Sequence, residues 1–88
     1  MKRKKEILLI ENTIIIGQQM DSKMLAELVQ KASQFKSHIS IVSVDKTANV
    51  KSIMGLISIN LQPGCEAKII ANGDDADEVM MVLQAILS

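Results

Sequence analysis

Ser52 is the residue whose type and position best suit chemistry. It stands directly before the apolar run IMGLISI. Its hydroxyl can therefore cap a helix by accepting a hydrogen bond from an amide two or three residues later. A serine at this place is also a suitable phosphorylation site, because the helix dipole and the unpaired amides favour added negative charge. From the residues alone both interpretations stay open, and the plain cap is favoured.

The remaining reactive side chains, a cysteine and a histidine, do not indicate a metal site or a disulfide. The single cysteine, Cys65, cannot form an internal disulfide, and no His/Cys cluster has the spacing of metal ligands. The single histidine, His38, falls at the start of a predicted strand, where we expect it to be solvated at the strand edge. We therefore expect no metal and no cofactor.

The composition indicates a small protein without an overall charge. Its 88 residues are 48% hydrophobic, which suits a single core, and we expect one domain over residues 1–88. Ten basic and ten acidic side chains cancel, so neither nucleic acid nor an anionic membrane is an expected partner. The basic run Lys2 to Lys5 precedes an apolar stretch that polar residues interrupt, which argues against a signal peptide. We expect a cytoplasmic protein.

Hydrophobic periodicity predicts alternating strands and helices. The predicted strands are Ile7 to Ile16, His38 to Val44, the segment DKTANV after a reversal near Asp45, and Cys65 to Asn72. The predicted helices are Ser22 to Phe35, Ser52 to Leu61, and a last one with Asp74 or Asp75 as its N-cap. One sheet covered by helices on a single face buries every apolar stripe, which gives an α+β fold of order βαββαβα.

The short helix after Ser52 is too apolar to be buried completely against one sheet. We expect some of Ile53, Met54 and Ile57 to complete the core and the others to form an exposed surface for a partner. Gly55, in mid-helix, costs about 1 kcal/mol relative to alanine. Its presence suggests the close approach of another backbone, either within the fold or from a partner.

The segment NVKSIMGLIS closely resembles the regulatory segment of the HPr phosphocarrier family and of its catabolite-repression homologue, Crh. The resemblance continues without gaps from about Met20, through LVQKASQF and GCEAKIIANGDDADEVM, and covers most of the chain. It implies an HPr-like open-faced β-sandwich, in which a four-stranded antiparallel sheet carries three helices on one face. It also implies a role in the phosphotransferase system, sugar transport regulation and carbon catabolite repression.

The family's phosphocarrier motif, Gly-Ile-His-Ala-Arg-Pro, aligns with the six residues from Gln19 to Met24. Asp21 then occupies the position of the family's phosphoryl-accepting histidine, and Lys23 that of its arginine. Because aspartate is a permanent anion and a good N-cap, we expect no histidine phosphotransfer and no catalytic activity. The alternative is that Asp21 carries an aspartyl phosphate or imitates the charged histidine.

For function, the resemblance implies that HPr kinase/phosphorylase modifies Ser52 and that a LacI-type catabolite regulator then binds the protein. The partner-binding residues that it implies are Lys23, Ser52, Ile53, Met54 and Ile57. The family counterparts of the last three also contact Enzyme I. Lys23 lacks the two-pronged guanidinium of arginine, so its contact with a phosphoserine should be weaker.

Two alternatives stay open: a phosphocarrier with Asp21 as acceptor, and a structural interaction domain that is not phosphorylated. The extended N-terminus is expected to lengthen the first strand or to support a homodimer through its exposed edge.

Overall fold

The computed structural model describes residues 8–88, and in them the strands and helices follow the predicted order. The strands are β1 Leu8–Ile15, β2 His38–Ser43, β3 Lys46–Asn49 and β4 Glu66–Gly73. The helices are α1 Ser22–Ala32, α2 Ile53–Ile59 and α3 Ala76–Leu87. The predicted basic leader, Lys2 to Lys5, and the predicted strand start at Ile7 lie outside the described residues. Within residues 8–88, no helix is both long and apolar enough to cross a bilayer.

The four strands form one antiparallel sheet in the order β1-β4-β2-β3. The predicted hairpin is β2 and β3, and it reverses at Val44 and Asp45. Val44 has a φ of 59°, a left-handed conformation that Asn or Gly usually adopts in such turns. The hairpin therefore forms with a valine at a position where Asn or Gly is usual, and no Asn-Gly pair marks the turn in the sequence.

The core lies on one face of the sheet, which the three helices cover. In β4, Ala67, Ile69 and Ala71 are buried, whereas Glu66 and Lys68 are exposed, as the alternating pattern predicts. In the neighbouring strand β2, Ile39 and Ile41 are buried on the same face. Leu28 of α1 and Val79 and Leu83 of α3 complete the core that covers it. This is the open-faced α+β arrangement that we expected.

The start of α3 differs in detail from the prediction. Asp75 is the N-cap residue by position, but its carboxylate makes no capping hydrogen bond within the helix. It accepts the backbone amides of Lys36, at 2.9 Å, and Ser37, at 3.0 Å, together with the hydroxyl of Ser37. Ser37 is fully buried, so its polar groups need such a partner. Asp75 therefore ties the loop after α1 to the start of α3.

These hydrogen bonds hold the pKa of Asp75 below its ordinary value, and the bond from the Ser37 hydroxyl is the largest cause, followed by that from the Lys36 amide. A carboxyl whose pKa is lower in the folded than in the unfolded state stabilises the fold above the unfolded pKa, about 3.9. This stabilisation is lost as the pH falls through the folded value.

We expect Asp75→Ala to lower the free energy of unfolding by about 1–2 kcal/mol at neutral pH, because the donors of Ser37 lose their acceptor. Urea denaturation at a series of pH values measures it. The difference from the parent protein should shrink below the unfolded pKa, as the carboxyl becomes protonated. Asp45→Ala, in the exposed hairpin turn, is the control and should change stability by less than about 0.5 kcal/mol. An equal loss in both variants would contradict the role of Asp75.

Candidate functional site

Ser52 caps α2, as the sequence predicts. Its backbone is extended, with φ −117° and ψ 113°, and its hydroxyl oxygen accepts a hydrogen bond from the Gly55 amide at 3.3 Å. Its carbonyl accepts the first helical hydrogen bond, from the Leu56 amide at 3.1 Å. Ser52 is half-buried, so it keeps contact with solvent while it holds the first turn.

A tight turn after β3 places Ser52 at the N-terminus of α2. The Ser52 amide donates to the carbonyl of Asn49 at 2.9 Å, and the Lys51 amide donates to the side-chain oxygen of Asn49 at 2.9 Å. The Val50 amide donates to the carbonyl of Ile39 in β2 at 3.0 Å. An asparagine side chain that imitates a backbone turn is a common way to end a strand. The cap is therefore held in place by the sheet.

The outer surface of α2 is apolar. Ile53, Met54 and Ile57 are 36%, 73% and 54% exposed, and we call these three residues the α2 patch. Leu56 and Ile59 are the buried residues of the helix. The expectation that some of the α2 patch would complete the core is therefore wrong. A helix of seven residues turns a narrow face to the core, and residues three apart fill that face.

Gly55 faces β3, but the fold leaves room for a small side chain at this position. A Cβ built on Gly55 would lie 3.4 Å from the Cβ of Ala48 and 3.7 Å from the amide nitrogen of Asn49, both in β3. These are ordinary van der Waals distances, so α2 packs on the strand that precedes it with room for an alanine. The contacts within the fold therefore do not require a glycine at position 55.

Asp21 caps α1. Its carboxylate accepts the Met24 amide at 3.0 Å, and its carbonyl accepts the Leu25 amide at 2.9 Å. Both Asp21 and Lys23 are exposed. The free amides at a helix N-terminus are what would stabilise a phosphoryl group there. In this chain one of them is already bound to the Asp21 carboxylate.

The predicted site residues lie on two helices. Ser52 and the α2 patch lie together on α2. Lys23 belongs to the first turn of α1, whereas Lys51, next to Ser52, bonds to Phe35, just beyond the last turn of α1. The Lys51 side chain therefore connects the residue before the cap to the segment after α1.

Lys51 is a residue of this region that we did not predict. Its ammonium donates to the carbonyl of Phe35 at 2.8 Å. The only signal in the sequence is a basic residue directly before the capping serine. Its acceptor is a backbone carbonyl 16 residues earlier, which no residue pattern identifies.

The other reactive side chains lie apart from this region. His38 is exposed and is the first residue of β2. It pairs with Asn72 of β4 but has no partner in β3, whose pairing with β2 begins at Ser40. Cys65 is a free, half-buried cysteine before β4. In the part of the chain that the structure describes, no group of three or more His, Cys, Asp or Glu residues could hold a metal ion.

Comparison with known proteins identifies relatives along nearly the whole described chain. The family model of the PTS HPr component phosphorylation site matches residues 10–88. The phosphocarrier protein HPr of Mycoplasma capricolum is 37% identical over 57 residues, which span 65% of this chain and 64% of that protein. The HPr-like protein Crh of Bacillus subtilis is 36% identical over 66 residues, 75% of this chain and 78% of that protein.

Solved structures agree with the sequence matches. The crystal structure of HPr from Bacillus anthracis has a TM-score of 0.88 at 29% identity and covers 91% of this chain and 98% of its own. A crystal structure of Bacillus subtilis Crh has a TM-score of 0.71 at 34% identity, covering 98% of this chain and 92% of its own. That Crh structure is described as an intertwined dimer with a swapped domain.

We expect Ser52→Ala to lower the free energy of unfolding by about 1 kcal/mol, because the Gly55 amide loses its capping acceptor. Chemical denaturation followed by circular dichroism measures this. Ser58→Ala, an exposed serine of the same helix, is the matched control and should cost less than about 0.5 kcal/mol. Equal costs for the two serines would show that the cap contributes nothing special.

Proposed function

Because this chain belongs to the HPr family of the phosphotransferase system, we propose that it is a Crh-like regulatory phosphoprotein of the cytoplasm. It has no catalytic activity of its own. HPr kinase/phosphorylase phosphorylates Ser52, and a LacI-type catabolite regulator binds the phosphorylated form. The observation that carries this proposal is a half-buried capping serine beside an exposed apolar patch on one short helix.

The position of Ser52 allows the charge to be added at little cost to the fold. A phosphate adds about 1.5 to 2 negative charges at neutral pH. At the start of α2 these charges face the positive end of the helix dipole and the unpaired amides of its first turn. Neither neighbour of Ser52 in sequence, Lys51 or Ile53, is acidic, so no adjacent carboxylate opposes the added charge.

The α2 patch supplies the rest of the recognition surface. Met54 and Ile57 are more than half exposed, and a flexible methionine next to a charge is suited to an adaptable contact. Phosphorylation would therefore place a dianion beside an apolar surface that is present in either state. A regulator that contacts both the phosphate and the α2 patch can discriminate the phosphorylated protein from the unmodified one. Lys23, exposed on α1, is proposed as a further contact.

The geometry of Asp21 favours this role over phosphocarrier activity. The carboxylate acts as a helix cap, bonded to the Met24 amide. Chemistry permits an aspartyl phosphate, but the neutral acyl oxygen of that species is a weaker acceptor for the Met24 amide than the carboxylate is. The regulatory role requires no group transfer from Asp21.

The decisive experiment is treatment of the full chain with HPr kinase/phosphorylase and ATP, followed by mass spectrometry. We expect one phosphate, located on Ser52, absent from Ser52→Ala and retained in Ser58→Ala. In a parallel incubation with Enzyme I and phosphoenolpyruvate, the chain should stay unlabelled. A parent chain that the kinase leaves unmodified would refute the proposal, and a hydroxylamine-labile label on Asp21 would favour the phosphocarrier.

Two methionines allow a matched test of the docking surface. Met54, in the α2 patch, and Met81, on α3, are both 73% exposed. For the phosphorylated protein, Met54→Glu should weaken binding to the regulator at least about tenfold, because a carboxylate beside the phosphate disrupts an apolar contact. Met81→Glu should leave the affinity unchanged in the same calorimetric titration. Equal affinities of both variants and the parent would remove the α2 patch from the interface.

A further inference from the structure

The ammonium of Lys51 makes a hydrogen bond within the protein. The residue is half-buried, and its ammonium donates to the carbonyl of Phe35 at 2.8 Å. Hydrogen bonds from a charged donor are stronger than those between neutral groups. Lys51 directly precedes Ser52, so this bond connects the residue before the cap to the segment that follows α1.

The carbonyl that Lys51 contacts belongs to a firmly held segment. The Phe35 amide donates to the carbonyl of Ala32 at 3.2 Å, and the half-buried Phe35 ring packs against the core. The next two amides, of Lys36 and Ser37, donate to the carboxylate of Asp75. Because this segment is bonded on both sides of Phe35, its carbonyl offers a fixed point for the ammonium.

The helix that Ser52 starts needs an external anchor. α2 has seven residues, whereas isolated helices shorter than about 12–15 residues are marginal in water. Its side-chain cap is a single hydrogen bond of 3.3 Å from the Gly55 amide to the Ser52 hydroxyl. The backbone before the cap is held by Asn49 on the side of β3 and by the Lys51 ammonium on the side of α1.

We propose that Lys51 is a positioning residue for Ser52: by tying the start of α2 to the carbonyl of Phe35, it fixes the place and direction in which the Ser52 hydroxyl is offered to a kinase. This role rests on the proposed phosphorylation of Ser52 and adds the residue on which its presentation depends. A kinase needs the hydroxyl in line with the transferred phosphoryl group, so small displacements lower the rate steeply. Loss of the anchor should therefore reduce phosphorylation while Ser52 itself is intact.

The experiment compares the full-length parent with Lys51→Met, Lys51→Arg and Lys46→Met. Lys46→Met is the matched control, because Lys46 is an exposed lysine of β3. Steady-state kinetics with HPr kinase/phosphorylase gives kcat/KM for each protein, and amide hydrogen exchange followed by NMR reports on Ser52 and Gly55 without any kinase. The amide of Ile69, in the core of β4, reports whether each variant is folded.

We expect Lys51→Met to lower kcat/KM about tenfold or more and to speed exchange of the Gly55 amide by a similar factor. Exchange at Ile69 should be unchanged. Lys51→Arg keeps a charged donor and should recover most of the loss, and Lys46→Met should match the parent in both measurements.

The two readouts separate the possible failures. If Lys51→Met is phosphorylated as fast as the parent, the positioning role is wrong although the proposed function stands. If kcat/KM falls while exchange at Ser52 and Gly55 stays the same, the kinase recognises the lysine charge directly, and the positioning role is again wrong. If the parent itself takes no phosphate, the proposed function fails, and unchanged exchange in Lys51→Met would then refute the anchor independently.

Discussion

The structure around the candidate site depends on one constraint: a helix of seven residues must be held at its first turn by groups outside itself. The Ser52 hydroxyl supplies the cap, and Leu56 and Ile59 supply the buried contacts. The helix packs beside Ala48 of β3 at Gly55. A long helix could lose any one of these contacts and remain folded. The two turns of α2 depend on all of them together.

The same constraint creates the exposed surface. A helix this short turns only Leu56 and Ile59 to the core, so its other large apolar side chains face solvent. The α2 patch therefore lies directly beside the residue that caps the helix. Charge added at the cap changes the character of that surface while the buried contacts stay as they are. This arrangement supports the proposed regulatory role.

Much of the fold was predictable from short-range patterns, because these patterns reflect local geometry. The alternation of Ala67, Ile69 and Ala71 identifies the buried face of β4, and the serine before an apolar run identifies the cap of α2. The division of the α2 patch from the core was not predictable, since seven residues are too few for helical periodicity to specify a face.

The side-chain hydrogen bonds between residues far apart in sequence were not predicted. Asp74 or Asp75 was expected to cap α3, but the carboxylate of Asp75 binds the loop amides of Lys36 and Ser37. The bond from Lys51 to the Phe35 carbonyl involves a backbone acceptor, which carries no residue signature. Both depend on how the elements pack against one another, which the residue pattern within a single element does not specify.

The most direct test of the central claim is the stability of the protein before and after Ser52 is phosphorylated. Urea denaturation of the two purified forms should give free energies of unfolding that agree within about 0.5 kcal/mol or favour the phosphorylated form, because the charge meets the positive end of α2. The amides of α2 should be protected from exchange equally in both forms. A phosphorylated protein that is destabilised by more than about 1 kcal/mol, or whose α2 has unfolded, would contradict the account.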